Sequence, residues 1–332
     1  MAPTQKAARE ARSPIQRPPR LDIHGILVVD KPVGPTSHDV VAIVRRLSGA
    51  RRVGHGGTLD PFATGVLPVF LGHGTRMVEY HLRDDKAYRA VMVFGARSTT
   101  DDLDGELTPT DVAAPTRGDV EEVLAGFVGT IEQRPPDYSA VRIAGRHAYE
   151  LARHGQAPEI KPRIVTFHEI RLVEWDERDP ERPAATVDLR CSAGTYVRSL
   201  ARDAGDHLGT GAYLGALVRT SSGPFRRDEA HPLDRVRELL GEGRIGELLL
   251  PVDTGLDAWP AVHVDPTDLA SLVRGQVVRA RGVSLPAPGP DGQVRVMAPD
   301  GRLAAMARLD GGRLHPEKVL IGPTAVAATG GA

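Results

Sequence analysis

The sequence predicts an α+β protein of roughly two domains. Three observations support this. Apolar runs and alternating stretches of strand length recur between residues 25 and 192, and segments with helical spacing are interleaved with them. Beyond residue 250, short strand-like runs are cut by glycine and proline in a way that suits a small barrel. With 332 residues, 41% of them hydrophobic, the chain can bury a sizeable core.

Taken in order, residues 1–22 are rich in Ala, Arg and Pro, with Pro14, Pro18 and Pro19 opposing regular structure, and are expected to form a disordered basic tail. Gly25 to Val29 suits a buried strand ending at the Lys31-Pro32 turn. Thr36 or Ser37 can cap a helix from His38 to Leu47, in which Asp39 is a first-turn charge. Val66 to Leu71 reads as a strand, Thr75 to Leu82 as a helix, and Lys86 to Phe94 as an alternating strand with Tyr88 near its start. Helical spacing marks Asp119 to Phe127 and Arg146 to His154. Residues 163–175 and 184–192 read as strands around a loop containing Pro180 and Pro183. Thr195 to Leu208 predicts a helix whose first turn carries Tyr196 and Arg198. A helical Arg235 to Leu250 leads to a junction at Pro251-Val252-Asp253, then a helix from Pro266 to Arg274 and the turn-dense strands.

The net charge of −1 does not mark a nucleic-acid binder, so local patches would have to hold an anionic polymer. Charge is uneven: Lys6, Arg9, Arg12, Arg17 and Arg20 crowd the tail, and Asp101, Asp102, Asp104 and Glu106 form an acidic cluster. The single cysteine, Cys191, excludes an intrachain disulfide and a Cys-cluster zinc site. It lies in an apolar stretch without a paired His and reads as a small buried residue rather than a nucleophile. No apolar run approaches membrane-spanning length and residues 1–20 lack the apolar centre of a secretory signal, so a cytoplasmic location is expected.

The most informative stretch is Gly54-His55-Gly56-Gly57-Thr58-Leu59-Asp60-Pro61. Three glycines ahead of Asp60 let the backbone approach a ligand closely, and Pro61 stiffens the exit. Arg45, Arg46, Arg51 and Arg52 just upstream can draw an anionic polymer past the carboxylate. Taken alone, Asp60 reads first as a turn residue before proline. The loop lacks the Gly-Lys-Ser/Thr ending of a P-loop, the chain lacks a dinucleotide fingerprint, and His38-Asp39 lacks the further ligands of a metal-dependent phosphohydrolase.

Five ordered motifs give the loop a context. They are Val29-Asp30-Lys31-Pro32-Val33-Gly34-Pro35-Thr36-Ser37; Gly54 to Leu67; Lys86-Ala87-Tyr88-Arg89-Ala90; Arg134-Pro135-Pro136-Asp137-Tyr138-Ser139-Ala140; and Cys191 to Arg198 followed by Leu217-Val218-Arg219-Thr220. In these the chain resembles the TruB family of pseudouridine synthases, whose bacterial members are the tRNA pseudouridine-55 synthases. The resemblance implies a catalytic domain over residues 23–250 with the pseudouridine-synthase fold, a mixed, largely antiparallel sheet with a cleft across its middle. It also implies a PUA-like RNA-binding domain over residues 251–332, although the local match there is weak. The implied reaction converts a T-loop uridine of tRNA to pseudouridine with neither metal nor organic cofactor, by a monomer that needs no guide RNA and no membrane. Helping tRNA to fold could accompany catalysis.

By the same resemblance Asp60 is the essential aspartate, acting either as a nucleophile or as a base toward a glycal-like intermediate. Arg198 is its ion-pair partner, and Tyr88 stacks on the target base. Tyr196 and Leu217 line the uracil pocket, His55 contacts RNA and fills space left by the flipped nucleotide, and Lys31-Pro32 shapes the wall beneath. Many members read Leu-Arg-Arg where this chain reads Leu217-Val218-Arg219, which removes one phosphate contact. Two rivals are weighed: a guide-RNA-dependent enzyme of the same chemistry, against which the bacterial-style motif spacing argues, and a non-catalytic RNA-binding protein, against which Asp60, Tyr88 and Arg198 together argue.

Overall fold

The structure, a computed structural model, describes residues 23–139, 142–143, 146–148, 160–279 and 287–321; the expected basic tail lies outside them. The first apolar run forms β1 (Gly25–Lys31), which pairs antiparallel along its whole length with β3 (Thr64–Leu71). Both strands are buried on both faces, which is why they read as continuous apolar runs rather than alternations. Between them lie α1 (Ser37–Ser48) and the short β2 (Val53–His55). Thr36 Oγ1 accepts the Asp39 N–H at 3.1 Å and the Asp39 carboxylate accepts the Thr36 N–H at 2.9 Å. This reciprocal cap fixes where α1 starts. Where one helix from Thr75 is expected, a 3₁₀ turn (Gly72–Arg76) precedes α2 (Val78–Leu82), because Gly74 packs on the Gly25 carbonyl and tightens the first turn.

The chain continues through β4 (Lys86–Phe94), the hairpin β5 (Ala96–Ser98) and β6 (Leu107–Pro109), α3 (Arg117–Gly126) and β7 (Gly129–Gln133). A small hairpin follows, β8 (Arg142–Ile143) and β9 (Arg146–His147). The helix expected from Arg146 is therefore a strand at its start, because Arg146 and His147 pair antiparallel with Ile143 and Arg142; residues 144–145 and 149–159 lie outside the described ones. The long β10 (Arg163–Asp176) and β11 (Ala184–Cys191) form as expected, then α4 (Val197–Leu208) and β12 (Ala212–Ser222). Tyr196 stands just ahead of α4 as its N-cap, not inside its first turn.

Next come β13 (Phe225–Arg226), β14 (His231–Pro232), α5 (Leu233–Gly241) and β15 (Leu249–Leu250). The single helix expected over Arg235 to Leu250 is broken: Gly243 adopts φ +73°, and Leu249 and Leu250 pair antiparallel with Leu27 and Ile26. Pairing two half-buried leucines with the edge of β1 outweighs the helix propensity of the run.

The main sheet has the order β14-β1-β3-β12-β4-β11-β10-β7, with β2, β13 and β15 attached to its strands. Only β1 with β14 and β3 with β12 run parallel, so the sheet is mixed and largely antiparallel. Helices α1, α3, α4 and α5 bury one apolar stripe each against the sheet, for example Val40, Val120, Leu200 and Val236 against Val69, Met92 and Val187.

A second sheet contains β16 (Ala261–His263), β17 (Val278–Arg279), β18 (Gln293–Met297), β19 (Leu303–Asp310) and β20 (Arg313–Val319), with α6 (Pro266–Leu272) after β16. Its order, β16-β18-β19-β20-β17, forms a curled half-barrel that fits a PUA-like domain. Val262, Leu269, Val294 and Leu314 make its own core. Met297, Leu303 and Met306 instead join Ile26, Val28, Phe70 and Phe225 in a third cluster on the rear of the main sheet.

Candidate active site

The loop between β2 and β3 is pinned on both sides of Asp60. Buried Ser37, the first residue of α1, accepts the Leu59 N–H at 2.8 Å and donates to the Leu59 carbonyl at 3.2 Å. Pro61 O accepts the Gly34 N–H at 2.9 Å and the Lys31 amine at 3.2 Å, and Asp60 O accepts the Ala63 N–H at 3.1 Å. Lys31 is wholly buried, its pKa lowered to about 8 by burial, with Asp60 opposing the shift and Arg219 adding to it. Its amine props the exit of the loop at Pro61 without lining the cavity described below. Of the three glycines only Gly57 needs a positive φ, +130°, while Gly56 packs on the Phe70 ring.

Arg198 reaches Asp60 from the first turn of α4. Its Nε lies 3.1 Å from Asp60 Oδ2, near enough for an ion pair though not aligned as a hydrogen bond, and Nη2 donates to Oδ1 at 3.4 Å. The guanidinium is 5% exposed, whereas 34% of the Asp60 side chain faces the cleft. On its far side Nη1 donates to Asp102 Oδ2 at 3.2 Å and Thr100 O at 3.1 Å, and Nη2 to Tyr138 O at 3.0 Å. Arg198 is thus held between two carboxylates. Burial raises the Asp60 pKa above the ordinary aspartate range; Arg198 opposes the rise and Asp102 adds to it.

Asp102 was visible in the sequence only as one of an acidic cluster. The structure folds part of that cluster inward: Asp102 is 4% exposed, and Asp101, at 2.9 Å from Arg202, has its pKa raised to about 6 by burial against the pull of Arg202. The sequence gives no local signal for this pairing, since Asp102 and Arg198 are 96 residues apart.

Tyr88 on β4 and Leu217 on β12 stand at the centre of the sheet, and Tyr196 stands at the start of α4. Tyr196 is fixed by Gln133, whose side chain donates to the Tyr196 carbonyl at 3.0 Å and accepts its N–H at 2.8 Å. With Asp60, Arg198, Lys86, Arg219 and the Gly57–Leu59 backbone, these three residues line a cavity of about 280 Å³. Five of the six expected site residues therefore meet in one place. His55 does not line this cavity. It ends β2, its ring edge-on to His38 at 5.2 Å, and its Nδ1 accepts the Gly57 N–H at 3.3 Å. Its pKa is lowered to about 4 by burial and by the nearby His38 and Arg219 charges, so it is neutral at neutral pH.

Arg219 was singled out in the sequence only as part of a motif, with no role. It is 1% exposed, and its Nε donates to Val66 O at 2.7 Å, Nη1 to Thr58 O at 3.3 Å and Nη2 to Gly57 O at 3.1 Å. An arginine inside a strand otherwise read as apolar was the available signal. Cys191 is buried and its thiol pushed up to about 12, which leaves no thiolate at neutral pH and bears out its reading as packing.

Comparison with known proteins bears on the same residues. Residues 45–197 match the TruB family pseudouridylate synthase N-terminal domain, and residues 198–257 match the tRNA pseudouridylate synthase B C-terminal domain. The chain is 42% identical to tRNA pseudouridine synthase B of Bradyrhizobium diazoefficiens, over 94% of this chain and 90% of that one. It is also 42% identical to the Thermobifida fusca protein of the same name, over 90% and 99% respectively. The fold is similar to a solved H/ACA RNP bound to a substrate RNA containing 2′-deoxyuridine, with TM-score 0.67 and 25% identity over 90% of this chain and 86% of that one. An archaeal box H/ACA sRNP complex gives TM-score 0.65 at 25% identity over 91% and 88%. Among the described residues no helix is long and apolar enough to cross a membrane.

Proposed function

The chain belongs to the TruB family of tRNA pseudouridine synthases, and from that premise we propose that it isomerises the T-loop uridine of tRNA, position 55, with the base flipped into the cavity beside Asp60. The observation that carries this reading is one carboxylate, partly open to the cleft, held against a buried guanidinium in a pocket walled by Tyr88, Tyr196 and Leu217. The reaction breaks the N1–C1′ bond, turns the uracil, forms the C5–C1′ bond, and exchanges a proton on C5 for one on N1. Nothing is gained or lost, so one ionised carboxylate with a site that retains the loose base suffices.

Asp60 has two ways to act, as a nucleophile on the nucleotide or as the base that removes a ribose proton. Both require the carboxylate form, which Arg198 favours against burial. Tyr88 and Leu217 offer an aromatic and an aliphatic face to the uracil, which holds it during rotation. The exposed Arg45, Arg46, Arg51 and Arg52 lie at the end of α1 and before β2, where they supply phosphate contacts. His55 acts at the rim, on the RNA rather than on the reacting base, and the half-barrel of β16 to β20 extends contact with the RNA.

The test is to incubate the purified chain alone with unmodified tRNA and with a T-arm stem-loop, and to map pseudouridine. Product on both substrates is expected. Asp60→Asn is expected to lose more than tenfold in rate, about 1.4 kcal/mol of barrier, while tRNA affinity, set by phosphate contacts, stays within about twofold. Absence of product on both substrates refutes the reading, and product that appears only with an added guide RNA favours the guide-dependent alternative.

A further inference from the structure

Arg219 is the largest fully buried side chain among the described residues, and its partners are all neutral. It donates to the carbonyls of Gly57, Thr58 and Val66, and its charge acts on the neighbouring Tyr88 phenol. In β12 it sits opposite Tyr88 of β4 on one side and Gly65 of β3 on the other, and a bulge follows it at once. Its bonds therefore tie β12 to β3 and to the Asp60 loop at the floor of the cavity. Burying a guanidinium without a carboxylate is costly, and an apolar residue of similar volume would fill the same space more cheaply. Packing alone does not explain an arginine here.

The chemistry of the group narrows its use. A guanidinium has only donors, and here they go to backbone carbonyls while its charge lowers the pKa of the neighbouring Tyr88 phenol. The same fork holds the two carbonyls that immediately precede Leu59 and Asp60. We propose that Arg219 is a positioning residue for the isomerisation: it locks the Asp60 loop to the β12–β4 pair that carries Tyr88, so that the carboxylate and the ring are held in one frame around the bound uracil. The inference rests on the pseudouridine-synthase reading and assigns a residue which that reading leaves unused. Misplacing reacting groups by about 1 Å costs on the order of 100-fold in rate, so a frame of this kind acts on turnover more than on affinity.

The experiment compares the full-length wild type, Arg219→Met and Arg219→Lys, each with and without Tyr88→Phe, in single-turnover pseudouridine formation on tRNA. Arg219→Met is expected to lose about 100-fold and Arg219→Lys about tenfold in rate, with tRNA affinity within about twofold. In the Tyr88→Phe background the Arg219→Met loss is expected to shrink at least about fivefold, because part of the effect of Arg219 is exerted through its cross-strand neighbour Tyr88. The phenolate absorbance of Tyr88, taken as the difference from Tyr88→Phe, is expected to titrate at higher pH once Arg219 is gone, since Arg219 lowers the Tyr88 pKa that burial raises. If Arg219→Met does not fold, Arg219→Lys is read by the same cycle. An undiminished rate overturns the proposal, as does an equal loss in both backgrounds with an unmoved Tyr88 titration. Failure of the wild type to form pseudouridine would instead sink the functional reading, while the Tyr88 titration still tests the effect of Arg219 on its neighbour.

Discussion

A carboxylate in a cleft has to stay charged to act, and at the residue scale the chain meets this need with Arg198 between Asp60 and Asp102. Two carboxylates around one guanidinium leave a net negative charge, so burial prevails and the Asp60 pKa stands above its ordinary range. Since only the ionised form works, the rate is expected to fall as pH drops through that raised pKa, and the acid limb should lie above that of an exposed aspartate. Arg198→Met leaves both carboxylates without their partner and should move the acid limb further up, so that part of its deficit is recovered at higher pH. Arg198→Lys keeps a cation, loses the fork, and should lie between the two. Single-turnover rate–pH profiles decide this, and coincident profiles for the Lys and Met variants would refute the ion pair. Asp60, Arg198 and Tyr88 were legible because their motifs fix residue type and spacing. Asp102 was not, because a buried pair across the fold looks in sequence like any acidic surface run.

Strands carry the site at the element scale, and the parallel contact between β3 and β12 is the joint that brings the Asp60 loop to Arg219. Gly65 makes that joint possible: its φ is +99°, and a Cβ there would lie 2.2 Å from the Arg219 carbonyl. Gly65→Ala is therefore expected to cost at least about 2 kcal/mol in urea unfolding and to depress turnover through the displaced loop. A change below about 0.5 kcal/mol would show that the two strands part without cost. Sequence periodicity found β1, β3, β4, β10, β11 and α1, whose apolar patterns and caps are local. It failed over Arg235 to Leu250, where leucines that suit a helix are taken by β1, and at Arg146, where a hairpin competes. Both failures come from pairing partners distant in the chain or from turn chemistry, neither of which a 3.6-residue period contains.

The whole molecule is less divisible than its sequence suggests. Pro251-Val252-Asp253 reads as a junction, and the half-barrel does have its own core, yet Met297, Leu303 and Met306 leave that core to cover Ile26, Val28 and Phe70 behind the main sheet. Tyr80 and Trp259 meet edge-on across the same seam at 5.0 Å. No turn signal in the sequence says that a strand's outward face will be shared, so the packing across the boundary drawn at residue 250 was not legible there. Each such apolar side chain contributes roughly 1.5–3 kcal/mol when fully buried, so removing residues 251–332 uncovers a face that the catalytic unit needs covered. A chain ending at residue 250 is expected to unfold at least about 5 °C lower than the full chain. Its affinity for full-length tRNA is also expected to fall, with a shallower dependence on salt because fewer phosphates are neutralised, while the T-arm stem-loop is still isomerised below the new unfolding temperature. Calorimetry and salt titration separate the two effects: an unchanged unfolding temperature would mean that the rear cluster is dispensable, and an unchanged salt slope would mean that the half-barrel contributes stability alone.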